Sequence, residues 1–232
     1  SQDLTLKAKV AFCVQGVISP MLSNIFLHHV LDAWFEREAK PRLSGSCQLV
    51  RFADDFVLAF EDAQSGRRML NVLSKRLARY GLTLHETKTR YVDFRPSCPR
   101  THAPDTTFDF LGFTHVWGRS QNGWNVVRQI TAKGRFTRAL KAVNAWCKAN
   151  RHRPLREQHQ HLSRVIRGHT NYYGLTGNSK RLSGFRYWVI RYWRKALARR
   201  TRAGRVTWDR MTELLNRYPL PPARVVHSIY AK

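Results

Sequence analysis

The chain has 232 residues, 43% of them hydrophobic, which is enough apolar material for one large or two modest cored domains and too much for a disordered tail. Its 41 Lys+Arg against 15 Asp+Glu give a formal net charge of +26, a self-repulsion that a polyanionic partner would relieve. Cys13, Cys47, Cys98 and Cys147 make no CxxC pair, so neither a disulfide scaffold nor a zinc knuckle is indicated. No apolar run is long enough to span a bilayer, and the first residues, Ser1-Gln2-Asp3-Leu4, read as an interior cut without signal-peptide form.

Taken in order, Leu6 to Val14 alternates apolar and basic residues and suits a strand or extended approach. Gln15-Gly16-Val17-Ile18-Ser19-Pro20 leads into a helix, with Ser19 as its N-cap and Pro20 as its first residue. Leu22, Ile25, Phe26, Val30, Ala33 and Trp34 carry that helix to about Ala39, and 41–46 reads as a loop. Gln48 to Phe60 then holds two short apolar runs around adjacent aspartates, Asp54 and Asp55, a strand–turn–strand with two carboxylates at the turn. Asp is depleted in strand interiors and like charges repel, so the pair is either a self-capping turn or a set of oxygen ligands for a divalent cation.

Leu70, Leu73, Leu77 and Tyr80 predict one face of a second helix, closed by Gly81. Short extended pieces follow at 82–84 and 89–94, around Glu86-Thr87-Lys88. Lys88 is there either an ordinary exposed lysine or a cation placed to neutralise a leaving pyrophosphate. A proline-containing linker runs over 96–104. Phe108 to Phe113 reads as a strand and tight turn, 118–123 as a second turn, and 124–130 as its returning strand. From about Lys133 the pattern is helical. Phe136, Leu140 and Val143 line one helix, and Leu162, Val165 and Ile166 the next. Leu182, Phe185, Val189, Trp193 and Ala196 line a third, and Thr207 caps a fourth through Met211, Leu214 and Leu215. The expected organisation is two domains, 1–130 and 131–232.

Basic and aromatic residues interleave most densely in the helical part. Arg164, Arg167, His169, Asn171, Tyr172 and Tyr173 precede a Gly-Asn turn. Arg181, Arg186, Arg191, Arg194 and Lys195 then alternate with Tyr187, Trp188, Tyr192 and Trp193. Cations reach phosphates and rings stack on bases, so this pattern suits RNA; Phe185 and Trp193 suit the core better. His159 and His161 face different sides of their helix and do not suit a shared ion.

Together these stretches resemble the reverse transcriptases encoded by group II introns, most closely the bacterial type without an endonuclease domain. The matching segments are Gln15 to Pro20 with Leu22, Asn24 and Ile25; Phe52-Ala53-Asp54-Asp55; Gly81-Leu82-Thr83-Leu84 with Lys88-Thr89; and Phe108 to Phe113. In the helical part they are Arg167-Gly168-His169, Asn171 to Gly174, Gly177-Asn178, Phe185 and Trp208. The resemblance implies an α+β fold. Its first part is a partial polymerase palm, a split βαβ-like antiparallel sheet with helices on one face, and an all-α thumb/maturase bundle follows.

It implies an RNA-directed DNA polymerase and intron maturase that joins a dNTP to a primer 3′-hydroxyl with Mg2+ on Asp54 and Asp55, Lys88 lying near the triphosphate. Gln15, Gly16, Ser19, Pro20, Phe52 and Ala53 would shape the nucleotide and template pocket, and Leu111, Gly112 and Phe113 would support the primer end. The helices would hold intron RNA or an RNA template with its DNA primer, in a cytoplasmic bacterial protein with no membrane partner. The alternative is a splicing factor that binds RNA without polymerising.

The departure from the family is at the front. Fourteen residues precede Gln15, with Asp3 the sole acid among them, where the family has fingers and a palm strand bearing another catalytic aspartate. A fragment, split enzyme or decayed copy is therefore expected, completed by a missing fingers/palm segment in cis or in trans.

Overall fold

Both runs flanking Asp54 and Asp55 become strands, because β-branched and aromatic residues at alternate positions fit a sheet with one buried face. In the computed structural model, which describes residues 4–11, 19–85, 87–96, 106–120, 122–200 and 205–228, they are β2 (Cys47–Phe52) and β3 (Asp55–Phe60). They pair antiparallel from Cys47↔Phe60 to Phe52↔Asp55, which leaves Ala53 and Asp54 as the two turn residues. For 4–11 and for Ser19 and Pro20 the backbone alone is described. Gln15, Gly16, most of the 96–104 linker, Cys13 and Cys98 lie outside the described residues.

The other edge of β3 pairs antiparallel with β1 (Leu4–Ala11), Lys9 standing opposite Asp55 and Lys7 opposite Val57. Along the far edge of β1 run β4 (Thr83–Leu84) and β5 (Arg90–Asp93), giving the order β2-β3-β1-β4 with β5 also on β1. One face of this small open antiparallel sheet is covered. Phe56, Leu58 and Phe60 alternate along β3 and pack with Cys47 into a core closed by two helical stretches. The first is α1 (Ser19–Leu27), prolonged by π-helical turns over His28–Ala33 and Phe35–Ala39, and it supplies Leu27, Val30, Leu31, Trp34 and Phe35. The second is α2 (Ala63–Ala78), which supplies Met69, Leu73 and Leu77. Each such side chain contributes roughly 1.5–3 kcal/mol of burial.

The buried face of α2 contains the expected Leu73 and Leu77 and extends beyond them. It runs Ser65, Gly66, Met69, Leu73, Leu77, with Leu70 half-buried and Tyr80 outside the helix and exposed. Asp62 caps the helix, accepting from the amides of Gln64 and Ser65 at 3.2 and 2.7 Å. Gly66 then lies so close to the sheet that a Cβ would stand 3.0 Å from the Tyr91 ring. Gly81 does end the helix, at φ +70°, and the Leu82 amide returns to the Leu77 carbonyl at 3.0 Å.

A three-stranded sheet follows, β6 (Phe108–Phe110), β7 (Phe113–Arg119) and β8 (Asn125–Thr131), in the order β6-β7-β8. By packing, the chain divides into two units, 1–111 with 115–127, and 112–114 with 128–232.

The second unit is built on α3 (Lys133–Ala149), α4 (Leu155–Tyr173), α5 (Ser179–Leu197) and α6 (Trp208–Arg217). The apolar stripe foreseen for α5 is its buried face: Leu182, Phe185, Val189, Trp193 and Ala196 are all within 4% of full burial. Leu140, Val143, Leu162, Ile166 and Met211 close around it. Thr207 caps α6 by accepting from the Arg210 amide at 3.4 Å. Several polar groups inside are matched. The Trp193 indole donates to Gln158 Oε1 at 2.8 Å, and Asn178 bonds the Thr131 amide, the Thr131 hydroxyl and the Tyr173 carbonyl.

Candidate functional site

The hairpin tip is the place where sequence and fold converge. Residues facing each other across β2 and β3 share a side. Cys47 and Leu49 therefore point with Phe60 and Leu58 toward the helices, while Val50 and Phe52 lie with Val57 and Asp55 on the open side. Val50 is 49% and Phe52 63% exposed, unusual for apolar residues in a strand. Asp54 in the turn and Asp55 at the head of β3 are half-buried beside them.

The turn itself is strained, since Ala53 sits at φ +53°, a conformation that ordinarily falls to glycine or asparagine. Arg51 holds it there. On the core-facing side of β2, its Nε and Nη2 donate to the two carboxylate oxygens of Asp32 at 2.7 and 2.6 Å. Its Nη1 donates to Asn24 Oδ1 at 3.0 Å and to the carbonyl of Ala53 itself at 2.9 Å. One guanidinium thus ties the aspartate turn to the covering helix at two points. Arg51 and Asp32 were not among the candidates drawn from sequence. The available signal was an arginine at a core-facing strand position and an acid among the apolar positions of the preceding helix.

The strand register also bears on Lys88. Leu84 of β4 stands opposite Val10, and Arg90 of β5 opposite Lys7. Residues 85 and 87–89 therefore lie beside Ala8 and Lys9, level with Asp55 and two strands away, on the order of 10 Å across the sheet. Lys88 is exposed in this stretch, its amide bonded to the His85 carbonyl at 3.0 Å. Adjacent carboxylates suit the oxygen shell of a hard cation such as magnesium. Among the described residues no group of three His, Cys, Asp or Glu side chains converges, so Asp54 and Asp55 fit such an ion only where phosphate or further carboxylate oxygens complete its shell.

Leu111 and Gly112 form a tight turn with φ of +49° and +81°. Within the second unit the Gly112 carbonyl accepts from the Ala132 amide at 3.0 Å, and a Cβ on Gly112 would come within 3.1 Å of the Tyr173 hydroxyl. Phe113 lies parallel to the Tyr172 ring at 5.8 Å and edge-on to Tyr173 at 5.2 Å.

The basic candidates separate by surroundings. Arg164, Arg167 and Asn171 lie exposed along α4, and Arg191 and Lys195 along α5; Tyr172 is 55% exposed. Others are engaged inside the unit. Arg186 donates to the Pro221 carbonyl at 3.0 Å, and Arg194 to that of Val206 at 2.8 Å while lying over the Trp208 ring. Arg181 lies over Phe136 at 5.3 Å. His169 is buried, stacked on Phe185 at 3.8 Å, and burial pushes its imidazole down to about 4. His159 and His161 have separate partners: His159 bonds the Pro219 carbonyl at 2.9 Å and His161 stacks on Trp146 at 3.8 Å.

Residues 5–115, just under half of the chain, match the family model for reverse transcriptase (RNA-dependent DNA polymerase). The chain thus carries a reverse-transcriptase-like domain over part of its length, and that part contains the whole hairpin and its clamp. Among solved structures it is similar to the telomerase from Candida albicans in complex with a TWJ fragment of telomeric RNA, at 18% identity and a TM-score of 0.32. That match covers 87% of this chain and 31% of the telomerase chain, so this chain spans about a third of its length. No curated protein matches the sequence.

Proposed function

We propose that this chain is the palm and thumb portion of an RNA-directed DNA polymerase with maturase character, of the group II intron type. The observation that carries the proposal is the Asp54–Asp55 pair at the hairpin tip, with Asp55 on the open side of the sheet, inside the segment that matches the reverse-transcriptase model. Nucleotidyl transfer needs oxygen ligands where charge builds up on the transferring phosphate and a clear face on which primer and template can lie. Asp54 and Asp55 supply the ligands, and the exposed Phe52 and Val50 offer an apolar floor beside them. Arg51 fixes the turn, so the carboxylates need not reorganise as charge develops. Lys88, in the stretch level with Asp55, would balance the charge of the departing pyrophosphate. Leu111, Gly112 and Phe113 would brace the primer end. A magnesium ion bound at the pair would supply Lewis-acid stabilisation of the transferring phosphate. The described residues offer two carboxylates there, so phosphate oxygens or a further carboxylate from outside them, in cis or in trans, would complete the shell.

A non-polymerising RNA-binding factor is the second reading, favoured by the same shortage of converging acids and by Lys9 in the register position opposite Asp55. Template-dependent primer extension with magnesium, run beside Asp54→Ala, separates the two. The polymerase reading expects deoxynucleotide incorporation that Asp54→Ala abolishes while RNA affinity stays within about twofold, because phosphate contacts rather than Asp54 set that affinity. RNA binding with no incorporation, on its own or with the complementing segment added, would leave the binding factor.

A further inference from the structure

The outer face of α5 has no role in the packing described so far. Opposite its buried stripe stand Lys180, Tyr187, Trp188, Arg191 and Lys195, with Tyr187 50% and Trp188 37% exposed. Two adjacent large rings in water on the most regular helix of the unit are costly to display, and the surroundings indicate what would cover them. The rings are set edge to face, 5.8 Å apart at 74°, and Trp188 meets Tyr192 at 5.8 Å. The Arg191 guanidinium lies 5.0 Å from the Trp188 centroid and 5.6 Å from that of Tyr187, and it donates to the Tyr187 hydroxyl at 3.2 Å. Arg191 therefore braces the pair and keeps its charge beside it. Lys180 and Lys195 close the two ends, about 22 Å apart at about 1.5 Å per residue. No acidic residue occurs anywhere between Glu157 and Asp209.

We propose that this face is a stacking site for unpaired bases of a single-stranded nucleic acid, with Trp188 and Tyr187 as the platform and Arg191, Lys180 and Lys195 as its phosphate contacts. The proposal rests on the nucleic-acid reading above and assigns it a particular surface and strandedness. Uninterrupted positive charge selects a polyanion. Exposed rings add affinity only for bases not already stacked and paired in a duplex. A bilayer surface is a poorer fit, because the exposed apolar area is confined to a few rings enclosed by cations and has no apolar stripe to insert.

The test is equilibrium binding of the full chain to a short unstructured RNA and to a blunt RNA duplex of equal length, each over a series of salt concentrations. Trp188→Ala should weaken single-strand binding about tenfold at every salt concentration, leave the salt slope unchanged and leave duplex binding unchanged, because stacking releases no counterions. Trp188→Phe, which keeps a ring, should restore most of that loss. Lys195→Gln should instead lower the slope by about 0.7, the contribution of one phosphate contact on a single strand. A Trp188→Ala chain that keeps its thermal midpoint and binds the single strand as wild type does, or that loses both RNAs equally, overturns the stacking site and leaves the face to a protein partner. If the wild-type chain binds neither RNA, the nucleic-acid reading itself falls, and the stacking site with it.

Discussion

At the scale of single residues, the aspartate turn depends on a group that carries no chemistry of its own. Arg51 spends its hydrogen bonds on Asp32, Asn24 and the Ala53 carbonyl, and its side chain is only 13% exposed. Arg51→Gln would leave the Asp32 carboxylate, itself 26% exposed, without its cation and release the carbonyl of a residue held at positive φ. Removing one partner of a fully buried pair costs about 3–5 kcal/mol, and partial exposure here reduces the expected loss to about 2 kcal/mol. Arg51→Lys should recover less than half of it, since an ammonium cannot reproduce the planar fork. Urea denaturation of the three proteins gives the comparison. Equal midpoints for wild type and Arg51→Gln would mean that the turn holds its shape without the clamp.

At the scale of elements, side-chain spacing disclosed those whose partner is a broad apolar surface. The α5 stripe is buried at every position foreseen for it, and Thr207 caps α6 as its place in the sequence suggests. On α2 the expected Leu73 and Leu77 are buried and Leu70 half-buried, but Tyr80 is exposed beyond the helix end. The face begins with Ser65 and Gly66, which pack by being small and leave no apolar mark. The first helix forms where expected, but of its foreseen apolar positions Val30 and Trp34 are buried and Ala33 half-buried, while Leu22, Ile25 and Phe26 are exposed. Its π-helical winding depends on backbone hydrogen bonding that side-chain period does not encode. In the candidate site the acids and both tight turns were legible from composition. The Arg51–Asp32 clamp was not, since its members are 19 residues apart and belong to different elements. Nor was the burial of His169, one position along α4 from exposed Gly168.

That burial has a consequence for the helical unit. The His169 ring is stacked on Phe185, Nε2 has no hydrogen-bond partner among the described residues, and the imidazole is held down to about 4 from an ordinary 6.5. The unfolded chain therefore takes up a proton at this residue before the folded chain does. Its contribution to stability is intact above pH 6.5 and is lost as pH falls toward 4, by up to ~3 kcal/mol. His169→Phe keeps the stacking and removes the titration. Its stability advantage over wild type should widen steadily across that window, as read by urea midpoints at a series of pH values. A constant offset would assign the acid sensitivity to other groups.

At the scale of the whole molecule, the net charge of +26 acts on the free and the bound chain in opposite directions. Alone, the chain gathers like charge, densest in the acid-free stretch between Glu157 and Asp209, and this repulsion opposes the compact state. Added salt shortens the screening length to about 8 Å near physiological strength, so the thermal midpoint of the free chain should rise with salt. An RNA bound as proposed would neutralise the same charge and stabilise the fold by mass action, with an affinity that falls steeply with salt as counterion release loses its advantage. The thermal midpoint of the RNA-saturated chain should therefore start well above that of the free chain at low salt, fall as salt is added, and meet the rising free-chain curve. Scanning the midpoint against salt with and without RNA reads both slopes in one experiment. Two curves that rise in parallel would mean that RNA is held mainly by contacts other than phosphate. A flat curve for the free chain would mean that the surplus charge is far enough apart, or well enough hydrated, to cost the fold nothing.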